Sequence, residues 1–164
     1  MIRRVSRQVK VGNVKIGGDA PIAIQSMLNA PADNFDKNLE QLKALEAAGC
    51  EIVRMAVPDM DAVKVLGRLK EQAKIPLVAD IHFDYRLALE SLQAGVDKIR
   101  INPGNIGSQD RVAAVADACA LKGVPIRIGV NSGSVEKELL EKYGGATPEA
   151  MVESAFRHVK MLED

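Results

Sequence analysis

Five times along this chain a short apolar run gives way to a segment of helical periodicity, and this alternation restricts the fold more than any other feature. The runs fall at residues 22–27, 51–57, 77–82, 97–102 and 125–131. Leu39, Leu42 and Leu45 mark the first helix, stopped by Gly49; Ala62, Val65, Leu66 and Leu69 mark the second, opened by Asp59. Tyr85, Ala88, Leu89 and Leu92 mark the third, between Asp84 and Gly95. Val112, Val115, Ala116 and Cys119 mark the fourth, between Ser108 and Gly123. A short fifth helix is expected at residues 135–143. A sixth, capped by Thr147 with Pro148 in its first turn, is expected to bury Val152, Ala155, Phe156 and Val159. Strands that alternate with helices pair in parallel through right-handed crossovers, and runs apolar on both faces belong to a covered or closed sheet. Ahead of them, residues 9–16 form two alternating runs joined by Gly12-Asn13, the pattern of a β-hairpin.

A doubly wound open sheet and a stretch of (β/α)8 barrel both satisfy this pattern. The first strand–helix junction carries no G-x-G-x-x-G, so a dinucleotide-binding open sheet has no support. A full barrel needs about 250 residues, whereas 164 hold five units and a helix. The expected fold is α/β: a partial TIM barrel of about five βα units behind an N-terminal hairpin, with the C-terminal part of the barrel missing. No linker or second domain is visible. Twenty-two Lys and Arg balance 22 Asp and Glu, which argues against a generic nucleic-acid or membrane-surface binder. No apolar run approaches the ~20 residues of a bilayer span. The basic start, through Arg3, Arg4 and Arg7, lacks the apolar segment of a secretory signal and reads, with Lys10, as a solvated arm. Two cysteines are too few for a disulfide framework, and a reduced, cytoplasmic protein is expected.

Charge inside the strands carries the chemistry. By the two-residue period of a strand, Ile52, Arg54 and Ala56 share one face, as do Val78, Asp80 and His82; Lys98, Arg100 and Asn102; and Arg127, Gly129 and Asn131. Apolar residues hold the alternate positions and would pack on the helices. The polar sets then face the barrel axis, toward the C-terminal strand ends where barrel enzymes place their chemistry. Two like charges about 6 Å apart repel by roughly 3 kcal/mol at an effective dielectric near 20. Asp80 neutralises only one of Arg54, Arg100 and Arg127, so the missing partner should be an anion. Guanidinium forks match phosphate oxygens, and three of them suit a diphosphate.

Other features carry less. Asp80 and His82 lack the third ligand of a catalytic zinc site, since the other histidine, His158, lies on the last helix. They suit orientation and proton handling instead, and no metal site is expected. Asn102-Pro103-Gly104-Asn105-Ile106-Gly107 forms either a plain turn or an anion-binding nest. Gln25 and Ser26 are weak polar candidates, and Cys50 and Cys119 read as packing residues.

Several stretches closely resemble the family of 4-hydroxy-3-methylbut-2-enyl diphosphate synthases of the non-mevalonate isoprenoid pathway. They are residues 6–12, Ile24-Gln25-Ser26-Met27, Ile52-Val53-Arg54, Ala79-Asp80-Ile81-His82-Phe83-Asp84-Tyr85-Arg86, Arg100-Ile101-Asn102-Pro103-Gly104-Asn105-Ile106-Gly107 and Ile126-Arg127-Ile128-Gly129-Val130-Asn131. The resemblance implies an N-terminal TIM barrel that grips 2-C-methyl-D-erythritol 2,4-cyclodiphosphate. It also implies a C-terminal domain with a [4Fe-4S] cluster, ferredoxin or flavodoxin as electron donor, and a homodimer. Position by position, Arg54, Arg100 and Arg127 match diphosphate-holding arginines, and Asp80, His82, Asn102 and Asn131 match polar residues around the substrate. Leu28-Asn29-Ala30 departs from the family's Thr-Asn-Thr, so a hydroxyl contact from this loop is not expected. Residues 1–164 are thus expected to be a truncated substrate-binding barrel, without the cluster domain or its ligands and inactive alone. The alternatives are a non-catalytic phosphate-binding or assembly module and a barrel enzyme like the dihydropteroate synthases.

Overall fold

The computed structural model describes residues 4–163, so Arg3 of the basic arm lies outside the described residues. The N-terminal hairpin forms as its alternation requires: β1 (Val9–Val11) pairs antiparallel with β2 (Val14–Ile16). Gly12 takes φ 55°, as in the primed turns whose twist matches the strands. A Cβ added there would lie 2.9 Å from Cγ of Pro76, so the turn abuts the loop that enters β5 (Leu77–Ile81). Val11 is buried against Ile52 and Val78. The hairpin therefore closes the N-terminal end of the main sheet.

That sheet is fully parallel, in the order β3 (Gln25–Met27), β4 (Ile52–Ala56), β5, β6 (Lys98–Ile101) and β7 (Ile126–Ile128). The crossovers are α1 (Phe35–Ala47), α2 (Met60–Gln72), α3 (Tyr85–Gln93) and, after a one-turn helix α4 (Pro103–Ile106), α5 (Gln109–Lys122). Local chemistry starts the helices. Asp59 accepts from the Ala62 amide at 2.9 Å and Asp84 from the Arg86 amide at 3.0 Å, each cap being worth about 1 kcal/mol. The outward positions Val53, Met55, Leu77, Ala79, Ile81, Ile99 and Ile101 pack with Leu42, Leu66, Leu69 and Leu92 into the main core. Each fully buried aliphatic side chain there contributes about 1.5–3 kcal/mol.

The sheet is curled rather than flat. Lys98 Nζ donates to Gln25 Oε1 at 3.3 Å although two strands separate β3 from β6. In a flat sheet those strands would stand ~14 Å apart, beyond the joint reach of the two side chains. The contact crosses the concave face, as in a barrel wall built part of the way round.

Four expectations need correction. The strands are shorter than the apolar runs: Ile22 and Ile24 lie before the edge strand β3 and are 78% and 61% exposed. The run after β6 is neither a plain turn nor a glycine nest but the helical turn α4, which Pro103 starts. The fifth helix begins later, as α6 (Lys137–Tyr143), behind a 3-10 turn at Ser132–Ser134. The last helix, α7 (Pro148–Glu163), is rotated from the expected stripe: Val152, Phe156 and Val159 are exposed, while Ala150, Ser154 and His158 are buried. Small Ala150 lets α7 approach α6 closely, packing with Val135 and Leu139. Close approach wins over burying the larger side chains. Among the described residues, no helix is long and apolar enough to cross a membrane.

Candidate anion-binding site

Strand alternation and register gather the inward residues. Met27 pairs with Arg54 and Arg54 with Val78, while Asp80 pairs with Arg100 and Arg100 with Arg127. Asp80, 2% exposed, is the hub. Its Oδ1 accepts from Arg100 Nη1 at 3.0 Å, and its Oδ2 lies 3.5 Å from Arg54 Nε and 3.4 Å from His82 Nε2. One carboxylate thus serves two guanidiniums and an imidazole. Arg54 also points Nε and Nη2 at the Met27 sulfur, 3.3 and 3.0 Å away.

Arg100 gains a second anchor at the Gly129 carbonyl, which accepts from Nη2 at 3.2 Å. The guanidinium lies over Gly129 so closely that a side chain there would collide with it. Arg127 is exposed, and among the described residues no hydrogen bond or ion pair engages it. Lys98 is buried, with Gln25 as its acceptor. Burial, and after it the fields of Arg127 and Arg54, hold the Lys98 ammonium below the usual lysine range. Among the described residues four cations therefore share the concave face with one carboxylate, and Asp97 is already paired with Lys70.

The amides behave differently. Asn102 is 1% exposed and neither its Oδ1 nor its Nδ2 has a hydrogen-bond partner, a costly state for a buried amide. Asn131 caps the 3-10 turn, its Oδ1 accepting from the Gly133 amide at 2.9 Å, which leaves only its amide nitrogen to donate. Ser26 pairs with outward-facing Val53 and so falls on the helix side of the sheet. Cys50 and Cys119 are buried in the core, and burial pushes the Cys119 thiol up to about 11. Among the described residues no three His, Cys, Asp or Glu side chains cluster as metal ligands. The excess of cations over carboxylate that the strand pattern predicts is present on the concave face of the sheet.

A family profile described as the GcpE TIM-barrel domain matches residues 6–164. The chain belongs to the GcpE family. A 4-hydroxy-3-methylbut-2-en-1-yl diphosphate synthase (flavodoxin) of Pseudomonas savastanoi pv. phaseolicola is 60% identical over 161 residues, 98% of this chain and 44% of that protein. The protein of the same description from Chromohalobacter salexigens is 58% identical, covering 98% of this chain and 43% of its own length. This GcpE chain thus spans less than half the length of the curated relatives it matches. A solved dihydropteroate synthase from Yersinia pestis superposes with a TM-score of 0.62 at 16% identity, over 94% of this chain and 58% of its own. That likeness is one of barrel architecture.

Sequence reasoning missed Met27 in this GcpE chain, and it placed Gly129 and Lys98 on the polar face without their roles. Met27 was hidden because a thioether carries no charge signal, though strand period places it beside Arg54. Gly129 stands on the polar face, but its use as a seat for Arg100 depends on a rotamer. Lys98 shares the face of Arg100, but its contact with Gln25 joins residues far apart in the chain.

Proposed function

We propose that this chain is the substrate-gripping part of an oxidoreductase of isoprenoid biosynthesis that reductively converts 2-C-methyl-D-erythritol 2,4-cyclodiphosphate to 4-hydroxy-3-methylbut-2-enyl diphosphate. The observation that carries the reading is the excess of inward cations over the single carboxylate Asp80, in a chain 60% identical to a synthase so named. Arg54, Arg100 and Arg127 bind phosphate oxygens, two of them pre-aimed by Asp80 and one free to close on the ligand. His82, its Nε2 on the Asp80 side, positions a substrate oxygen or hands it a proton. Asn131 donates to a ligand oxygen from the loop that follows β7, whereas the buried Asn102 amide reaches a ligand only if its own loop shifts.

Reduction needs electrons, and the relatives' description names flavodoxin as their donor; ferredoxin is the other candidate of the same class. The iron–sulfur cluster of the family does not fit the residues present, because the two thiols are buried in the core and, among the described residues, no third ligand joins them. The cluster belongs to a further domain, and residues 1–164 bind the ligand without turning it over. A homo-oligomer in the cytoplasm completes the proposal. Calorimetric titration of the full-length protein with the cyclodiphosphate tests it. Arg100→Ala should weaken binding by about 10–100-fold, the value of a lost charge-assisted pair. Unchanged affinity would remove the role assigned to the arginine cluster.

A further inference from the structure

Lys98 is the cation that the folded chain has least reason to keep. It is 7% exposed, and it lies two residues closer to the N-terminal end of β6 than Arg100. Of its three potential donor directions, the structure engages one, toward Gln25 at 3.3 Å. Among the described residues no carboxylate lies within ion-pair distance of it. Lys98 and Arg127 line the same concavity, of about 400 Å³, whose other walls include Val9, Val11, Ile126 and Ile128. Apolar walls strengthen the field of the buried Lys98 charge. An unpaired charge in such a place destabilises the empty protein, and a neutral residue would serve packing better.

Charge matching with the expected ligand class supplies a reason. Three guanidiniums against the Asp80 carboxylate leave an excess of two positive charges. A cyclic diphosphate, esterified on both phosphorus atoms, carries two negative charges. A diphosphate esterified at one end carries a third, from the second ionisation of its terminal phosphate. The Lys98 ammonium raises the excess to three.

We propose that Lys98 is the floor of the anion site and sets its selectivity, favouring a diphosphate monoester with three negative charges over a diphosphate diester with two. The proposal rests on the anion-site reading above and deepens it. Cleaving one ester bond of a cyclic diphosphate adds the third charge, so Lys98 favours the opened form over the closed one.

The test is calorimetric titration of the full-length protein at pH 8 with methyl diphosphate and with symmetrical dimethyl diphosphate. Wild type should bind the monoester more tightly. Lys98→Met and Lys98→Gln should each lower the preference ratio by about tenfold, the order expected of one half-buried charge pair. Lys98→Arg should restore it. Lys98→Gln retains a polar group opposite Gln25, so it covers the case in which Lys98→Met does not fold. A ratio unchanged in the neutral variants, or equal losses toward both ligands, would overturn the proposal and leave Lys98 as a strut to β3. Wild type that binds neither ligand would instead overturn the anion site itself.

Discussion

The guanidinium of Arg100 rests on the bare Cα of Gly129, and it can meet Asp80 only because no side chain stands there. The neighbouring strand thereby sets the aim of the central arginine. Gly129→Ala should displace Arg100 from both Asp80 and the Gly129 carbonyl. Overpacking of this kind costs about 1–3 kcal/mol. The expected outcome is a lower melting temperature together with roughly tenfold weaker diphosphate binding, the cost of one misplaced charged pair. Normal binding by the alanine variant would show that Arg100 reaches its ligand by another route.

Asp80 restrains cations that otherwise repel one another. Asp80→Asn keeps the shape and deletes the charge. Both arginines keep some water, with side chains 25% and 17% exposed. The loss of stability should therefore be ~1–3 kcal/mol, below that of a fully buried pair. Sulfate or phosphate would take over part of the lost neutralisation. Melting temperature followed against sulfate concentration should rise more steeply in Asp80→Asn than in wild type. Parallel slopes would show that the cluster does not attract anions.

Caps and strand faces were legible in the sequence because they depend on neighbours a few residues away. Asp59 and Asp84 needed only the following amides, and Arg54, Asp80 and Arg100 needed only the period of two. The orientation of α7 was not legible. Its larger apolar residues, Val152 and Phe156, suggest one buried face, but Ala150 and Ser154 allow the other to approach α6 and α5, and no local pattern weighs size against hydrophobicity. The Lys98–Gln25 contact was hidden for a related reason, since it exists only after the sheet has curled.

The rotation of α7 buries His158, whose Nε2 lies 3.5 Å from Glu136 Oε1 and whose Nδ1 has no hydrogen-bond partner. Burial lowers its pKa, with Glu136 pulling weakly the other way. Below the unfolded value of about 6.5, the unfolded chain holds more protons at this position than the folded one. Stability attributable to His158 is therefore present above that value and is lost as pH falls toward the folded value. Denaturant unfolding between pH 7.5 and 5.5 should show declining stability, and His158→Gln should flatten the slope. One proton contributes at most ~1.4 kcal/mol per pH unit. An identical slope in the variant would place the acid sensitivity elsewhere.

The same rotation leaves Val152, Phe156 and Val159 at 55%, 70% and 37% exposure, while β3 and β7 form the unpaired edges of the five-stranded sheet. Unpaired edges offer backbone donors and acceptors to another chain, and a contiguous apolar face adds a hydrophobic drive to association. Residues 1–164 produced alone should sediment as dimers or larger species. Phe156→Glu combined with Val152→Lys places charge on that face without touching the buried side of α7, and should shift the distribution toward monomer. A monodisperse monomer of the unaltered chain would show that neither the edges nor the face drives pairing. Unchanged oligomers in the double variant would assign the association to the strand edges.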